Sequence, residues 1–185
     1  MHGPPPSIET ARLRLRPPTL DDAEAIFAEY AQDKAVARYL TWRPNRQIQT
    51  VKEYLQEMVD AIQGGSRYCW AITLKESDRP VGMIEARLDG HGVNLGYVLA
   101  KRRWGRGYMP EALQPVVDWL LRQDEIHRVW AVCDVENRAS ARVLEKIGMQ
   151  REGRLRRWLI HPNISDLPRD CFCYSVVKGT IEFRR

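Results

Sequence analysis

The first third of the chain carries one strand-like and two helix-like hydrophobic patterns. Leu13 and Leu15 are separated by an arginine, which predicts a short strand that stops at Pro17-Pro18. Thr19, followed by Leu20 and two aspartates, is typical of a helix start. Apolar residues then keep helical spacing in two stretches, positions 23–30 and 51–62, and the second ends at Gly64-Gly65. We therefore predict one strand and two helices before residue 66.

After residue 66 the hydrophobic period becomes that of strands. Three apolar segments, 68–74, 80–88 and 93–99, are separated by polar turns at 76–79 and 89–92, which predicts an antiparallel meander. A helix with apolar positions from 112 to 121 follows, then a nearly all-apolar strand at 129–134, as expected where both faces are buried. A helix at 137–147, stopped by Gly148, and strands at 150–160 and 169–178 complete the chain. This order predicts one mixed α/β domain over residues 1–185, with residues 1–7 as a mobile tail.

Composition limits the choice of partner only loosely. The 185 residues carry a net charge of +5, which suits an anionic small molecule, an acidic protein or RNA. The N-terminus lacks the basic and apolar regions of a signal peptide, and no apolar run could span a bilayer, so we expect a cytoplasmic protein with no membrane partner. The cysteines show no Cys-x-x-Cys spacing, which favours buried thiols over a metal site or disulfides: Cys69, Cys133, Cys171 and Cys173.

A basic turn with two glycines is the strongest chemical signal. The segment Arg102-Arg103-Trp104-Gly105-Arg106-Gly107-Tyr108 follows the predicted strand that ends at Leu99 and opens the next helix. Glycines at alternate positions allow a sharp bend in which several backbone N–H groups converge. A helix N-terminus adds unpaired N–H groups and a favourable dipole, so the turn predicts a pyrophosphate cradle. The alternative is a helix start with solvated arginines.

Several motifs resemble the GNAT superfamily of acyl-CoA-dependent N-acetyltransferases. Arg102-x-x-Gly105-x-Gly107 matches its pyrophosphate-binding signature, and Asn137-Arg138-Ala139-Ser140 with Leu144–Met149 is similar to its second block. The continuation Gly107–Leu113 and the opening Glu9–Arg16 resemble the Rim-like branch, which includes enzymes that acetylate N-termini of ribosomal proteins. The resemblance implies a mostly antiparallel sheet with splayed strands, flanked by helices.

The resemblance also implies a reaction. Acetyl would pass from acetyl-CoA to a primary amine by direct attack in a ternary complex, with no metal. The acceptor would be a protein N-terminus or a small amine, and a homodimer is compatible with the family. Fold-level analogy does not choose between these acceptors.

By the same resemblance, pantetheine lies along the splayed end of the strand 93–99 and a backbone N–H near Val98 or Leu99 faces the thioester oxygen. Ser140 would lie near the sulfur and protonate the leaving thiolate. The alternative is structural: Asn137 is the N-cap of the helix, and Ser140, three residues on, satisfies another terminal group. The implied cofactor-binding residues are Tyr97, Val98, Leu99, Arg102, Arg103, Trp104, Gly105, Arg106, Gly107, Tyr108, Asn137 and Ser140.

A general base is less clearly marked. On the strand 80–88, alternation places Glu85 opposite the apolar row of Ile84 and Ala86, where it could face the acceptor. The alternative is an exposed carboxylate paired with a neighbouring arginine. Related sequences often carry a glutamate where this chain has Asn94, which leaves Glu85 or water to accept the proton. His161 belongs to the turn between the last two strands, a loop that borders the acceptor site in related folds. It is expected to be an exposed turn residue, and a role as the base is the alternative.

A rival hypothesis is a catalytically silent GNAT-fold module that binds RNA or the ribosome. It rests on the net charge and on the cluster Arg154, Arg156 and Arg157. Arginines on a strand are also typical of a solvated face, so nucleic acid is not the expected partner. RNA binding that falls steeply with salt, without affinity for acetyl-CoA, would favour this rival.

Overall fold

The computed structural model describes residues 5–179. Within that range the strands are β1 (Ile8–Glu9), β2 (Leu13–Arg16), β3 (Arg67–Leu74), β4 (Ser77–Asp89), β5 (Gly92–Leu99), β6 (Arg128–Asp134), β7 (Gln150–Leu159) and β8 (Arg169–Val177). The α-helices are α1 (Ala23–Ile26), α2 (Lys34–Ala37), α3 (Ile48–Gln63), α4 (Tyr108–Arg122) and α5 (Arg138–Lys146). Residues 1–4 of the predicted mobile tail lie outside the described range.

The strands form one mixed sheet in the order β1-β2-β3-β4-β5-β6-β8-β7. Neighbouring strands run antiparallel except β5 and β6, which are parallel. That parallel pair is short, because only Gly92–Asn94 pairs with Arg128–Trp130. Beyond these residues β5 and β6 separate, so the predicted mostly antiparallel sheet with splayed strands is confirmed.

Helices cover both faces of the sheet, so β3 and the middle of β4 are buried without alternation. The main core joins α4 and α5 to one face, where Ile84 and Ala86 of β4 are buried. A second cluster joins α1 and α3 to the other face through Met83 of β4. Glu85 therefore lies on the face opposite the α4 core, as alternation predicts.

Two local predictions were wrong. The first predicted helix is broken: a 3-10 turn (Leu20–Asp22) precedes α1 and a π-helical turn (Phe27–Ala31) follows it. In that first turn the buried Asp22 carboxylate accepts from Thr19 N–H at 2.8 Å and from Arg16. The predicted turn at 76–79 belongs largely to β4, since Leu74 pairs with Ser77 across a two-residue turn. Residues 77–79 are polar because this end of the hairpin is exposed, although they belong to a strand.

Candidate active site

Beyond Asn94, β5 and β6 separate and leave a gap, here called the splay. At the C-terminal end of β5, the backbone groups on this side have no neighbouring strand to pair with in the described range. Ala100 N–H donates to Val81 O at 2.8 Å, so Ala100 and Val98 face β4. Because alternate residues of a strand direct their N–H and C=O to opposite edges, those of Tyr97 and Leu99 face the splay. Trp104 Nε1 donates to Leu99 O at 2.8 Å, which leaves the Leu99 N–H directed into the gap. Of the two residues predicted to face the thioester, the geometry favours Leu99 over Val98.

The glycine turn follows directly after β5. Gly105 has φ +72° and Gly107 has φ +77°, a left-handed conformation that L side chains rarely adopt. Gly107 is the N-cap of α4, and no side chain caps the helix at this position. The predicted strand–turn–helix is therefore confirmed, with first-turn N–H groups exposed at its end. A diphosphate fits this end of α4 because no capping side chain occupies its N–H groups.

The arginines of the turn do not all point into it. The Arg102 guanidinium forms an ion pair with Glu29, a side chain only 6 % exposed in the π-helical turn, and Arg79 Nε lies 3.3 Å from the same carboxylate. Arg103 is half-buried, whereas Arg106 is exposed. The side chain of Arg102 thus ties the turn to the helical layer, which leaves its backbone as the part available to a cofactor.

Arg12, which sequence reasoning missed, supplies a charge at the turn. Its Nη1 donates to Arg106 O at 3.0 Å, and its guanidinium lies 4.4 Å from the centroid of the Tyr108 ring. Glu111 of α4 holds it there, with Arg12 Nη2 2.6 Å from Oε2, while Thr10 Oγ1 donates to Oε1 at 2.7 Å. Burial alone would raise the pKa of Glu111, but bonds from Thr10 and Arg12 hold it below its usual value. The sequence signal was the Glu9–Arg16 opening, whose contact with α4 cannot be read from the chain.

Ser140 lies across the splay from β5. Asn137 Oδ1 accepts from Ser140 N–H at 3.1 Å, so Asn137 is the N-cap of α5 as the alternative interpretation predicted. The Ser140 hydroxyl does not close this cap; its Oγ lies 2.7 Å from the Tyr97 hydroxyl. On the neighbouring strand, burial raises the pKa of Cys133 to about 11, against the effect of a hydrogen bond with Ser140. The hydroxyl of Ser140 thus contacts side chains of β5 and β6 rather than the backbone of its own helix.

Glu85 is more enclosed than either interpretation required. It is 7 % exposed, and Arg67 Nη1 and Arg87 Nε donate to its Oε1 at 2.8 and 3.0 Å. Arg87 Nη2 contacts Oε2, and Arg87 Nη1 donates to Asn94 Oδ1 at 3.1 Å. The expected pairing with arginine is present, but the expected exposure was wrong. Glu85 lies beside Gly96 of β5 in the register of the sheet, so it borders the splay while both its oxygens are occupied.

His161 is 2 % exposed, so the expectation of an exposed turn histidine was wrong. Its Nε2 lies 3.7 Å from Asp134 Oδ2, and its ring meets Tyr39 edge-on at 6.4 Å. Burial lowers the pKa of His161, a shift that the carboxylate of Asp134 opposes. Asn163 in the same loop donates to the carbonyls of Ala37 and Trp42, both at 2.7 Å. The β7–β8 loop is thus fastened to the segment after α2.

Residues 12–150 match the family model for the acetyltransferase (GNAT) domain, and the chain belongs to this family. The uncharacterized N-acetyltransferase YoaA of Bacillus subtilis is 32% identical over 176 residues, which cover 94% of this chain and 97% of that protein. As a GNAT member the protein is an acetyl-CoA-dependent acetyltransferase, with acetyl-CoA as the acyl donor.

Two solved structures share the fold. RimJ of Mycobacterium smegmatis, in complex with a CoA disulfide, has a TM-score of 0.84 at 20% identity, covering 95% of this chain and 88% of that one. The microcin C7 self-immunity acetyltransferase MccE, in complex with acetyl-CoA and AMP, has a TM-score of 0.82 at 22% identity, covering 94% and 97%. The presence of RimJ among these neighbours agrees with the Rim-like resemblance.

Two further features of residues 5–179 bear on partners. No helix in this range is long and apolar enough to cross a membrane. Nor does the range contain a group of three or more His, Cys, Asp or Glu side chains placed to hold a metal ion.

Proposed function

We propose that the protein moves acetyl from acetyl-CoA to a primary amine by direct attack in a ternary complex, and that the acceptor is a protein N-terminus. One observation carries the proposal: the gap between β5 and β6 opens onto the glycine turn at one end and onto Ser140 at its side. The turn would hold the diphosphate through Gly105–Tyr108, and the free edge of β5 would hold pantetheine through Tyr97 and Leu99. Positioning of two reactants in this way supplies much of the acceleration for an amine and a thioester.

Direct attack is favoured over an acyl-cysteine because the nearby thiol is inert. Cys133 is buried beside Ser140, and burial raises its pKa to about 11, so little thiolate exists at neutral pH. Nucleophilic catalysis by cysteine usually needs the opposite shift.

In this scheme Ser140 donates to the sulfur as the C–S bond breaks, and Glu85 is the proposed base. Glu85 could accept a proton only by giving up part of its two ion pairs. A free α-amino group has a pKa of about 8, so an unassisted neutral amine is also available near that pH. Glu85 therefore matters most below the pKa of the amine.

A chain-like acceptor is supported by the surface beside Glu85. On the same face of the sheet, a cleft of about 440 Å³ lies at the start of β5 and β6, with Trp130 and Trp158 among its lining residues. Gly96 lies four residue steps along β5 from Gly92 at this cleft, a span of about 13 Å at roughly 3.3 Å per residue. A peptide with its amine at Gly96 would extend over this span, whereas a small amine would leave the cleft empty.

The test is acetyl transfer to two peptides of one sequence, one with a free N-terminus and one blocked, both without lysine, beside a panel of small amines. We expect acetyl-CoA binding by calorimetry and product only from the free peptide. If only small amines are acetylated, the hypothesis of a protein acceptor is rejected. If the protein does not bind acetyl-CoA, the whole proposal is rejected.

The RNA-binding rival lacks a comparable observation. Arg154 of its basic cluster pairs with Asp170 at 2.5 Å, which removes part of the charge on which that hypothesis rests. A homodimer, a cytoplasmic location and a single domain over residues 1–185 stay predictions.

A further inference from the structure

Two hydroxyl groups meet across the gap between β5 and α5. The Tyr97 hydroxyl lies 2.7 Å from Ser140 Oγ and 3.4 Å from the Ser140 carbonyl. Pairing between β5 and β6 has already ended at Asn94 and Trp130, three residues before Tyr97. At the level of Tyr97, therefore, a side-chain hydrogen bond spans the gap that the sheet leaves open.

The direction of this hydrogen bond follows from the acidities of the two groups. Burial raises the pKa of Tyr97 well above its usual value, so the phenol keeps its proton near neutral pH. A phenol is a stronger acid than an aliphatic alcohol and is the better donor of the two. Tyr97 O–H then donates to Ser140 Oγ, which leaves the hydrogen of Ser140 to point either at Cys133, with which Ser140 also shares a hydrogen bond, or at a bound sulfur.

We propose that Tyr97 is a positioning residue for Ser140: by donating to Oγ, it directs the Ser140 O–H toward the sulfur of the acyl donor. This inference rests on the proposed function, which gives Ser140 its place beside the sulfur. As the C–S bond breaks, its electron pair moves onto sulfur and Ser140 donates to it. The amine nitrogen forms its bond to the acyl carbon in exchange for the C–S bond. The proton that the amine loses passes to the base or to solvent, and Ser140 regains a proton from solvent, so Ser140 and Tyr97 are both unchanged at the end of the cycle.

The competing explanation is that a partly buried phenol merely needs a hydrogen-bond partner. The chain offers a control for this, because Tyr174 of β8, which is fully buried, donates to Glu145 Oε1 of α5 at 3.1 Å. Both tyrosines fasten a strand to α5 through a hydroxyl. Of these two tyrosines, Tyr97 contacts Ser140 and Tyr174 does not.

The first experiment is a double-mutant cycle under single-turnover conditions with acetyl-CoA and a peptide with a free N-terminus. Tyr97→Phe should slow acetyl transfer about 10-fold, the upper range for one hydrogen bond, with acetyl-CoA affinity unchanged. Ser140→Ala should slow it about 100-fold, and the double variant should be no slower than Ser140→Ala alone. Tyr174→Phe should lower Tm as Tyr97→Phe does and keep the wild-type rate. A wild-type rate in Tyr97→Phe, or a further 10-fold loss in the double variant, would overturn the proposal.

The second experiment needs no acceptor: the pKa of the thiol of bound CoA is followed by the ultraviolet absorbance of its thiolate. A directed Ser140 hydroxyl stabilises the thiolate, so this pKa should lie below that of free CoA in the wild type. It should rise in both Tyr97→Phe and Ser140→Ala but not in Tyr174→Phe. If no amine is acetylated while these shifts appear, the proposed function fails and the positioning role stands. If transfer occurs and Tyr97→Phe leaves the thiol pKa at its wild-type value, only the positioning role fails.

Discussion

The two sides of the proposed site differ in how they are built. The proposed donor side is mainly backbone: the free edge of β5, Gly105 and Gly107 at positive φ, and the open N-terminus of α4. The proposed acceptor side consists of side chains from distant parts of the chain. There, Glu85 is held by Arg67 and Arg87, and the β7–β8 loop is fastened to the segment after α2.

This difference separates what the two sides require of the sequence. A backbone site at positive φ selects glycine at fixed positions, whatever side chains surround it. A side-chain site depends on contacts such as that between Asn163 and Ala37, 126 residues apart, which leave no local mark. The proposed donor side can therefore be read from local sequence, whereas the proposed acceptor side cannot.

The largest expected effect breaks the donor side. Gly107→Val places a β-branched residue at φ +77° at the head of α4, so the turn must rearrange. We expect the Kd for acetyl-CoA to rise at least about 100-fold in calorimetry while the domain stays folded. Gly148→Val is the control, because Gly148 has φ +80° at the end of α5, outside the turn. That variant should lose stability and keep its affinity; undiminished affinity in Gly107→Val would reject the cradle.

The second effect probes the acceptor side. Glu85→Gln keeps the shape of the side chain but cannot take a proton, so kcat/KM should fall most at low pH, about 10-fold near pH 6. Above the amine pKa of about 8 the defect should shrink, because free amine is then abundant. Glu152→Gln is the control, since Glu152 also pairs with an arginine on the sheet, Arg128. Any effect of Glu152→Gln on kcat/KM should be the same at every pH. If the pH profile of Glu85→Gln matches that of the wild type, water rather than Glu85 accepts the proton from the amine.

The smallest effect concerns the fastening of the acceptor loop. Burial lowers the pKa of His161, so below the unfolded value of about 6.5 the unfolded chain binds a proton that the folded chain resists. Stability is therefore fully present above that pH and is lost as pH falls through the folded pKa. Asp134, near Nε2, reduces the loss, and Arg169 increases it. We expect wild-type Tm to fall between pH 7 and 5 by a few degrees more than Tm of His161→Gln. Parallel curves would contradict this assignment.

The sequence predicted most of the fold and the strand–turn–helix on which the proposed donor side is built, for physical reasons that particular elements show. The helix at α4 and the buried strand β6 have strong periodicity, and the turn needs glycine. The break in the first helix was not predictable, because it accompanies contacts of Asp22 with Arg16 and Thr19 that only the folded chain makes. The burial of His161 and of Glu85 was missed for the same reason, since a turn residue and a strand carboxylate are usually exposed. Arg12 was visible in the opening motif, but its position at the glycine turn depends on Glu111.

The central claim is that an amine attacks the acyl donor directly while both are held by the protein. Initial rates measured over a grid of acetyl-CoA and acceptor-peptide concentrations test it most directly. Double-reciprocal lines that intersect are the predicted result, because a ternary complex must form before acetyl moves. Parallel lines, together with acetyl retained on the protein when the peptide is left out, would mean a covalent acyl-enzyme and would contradict the account.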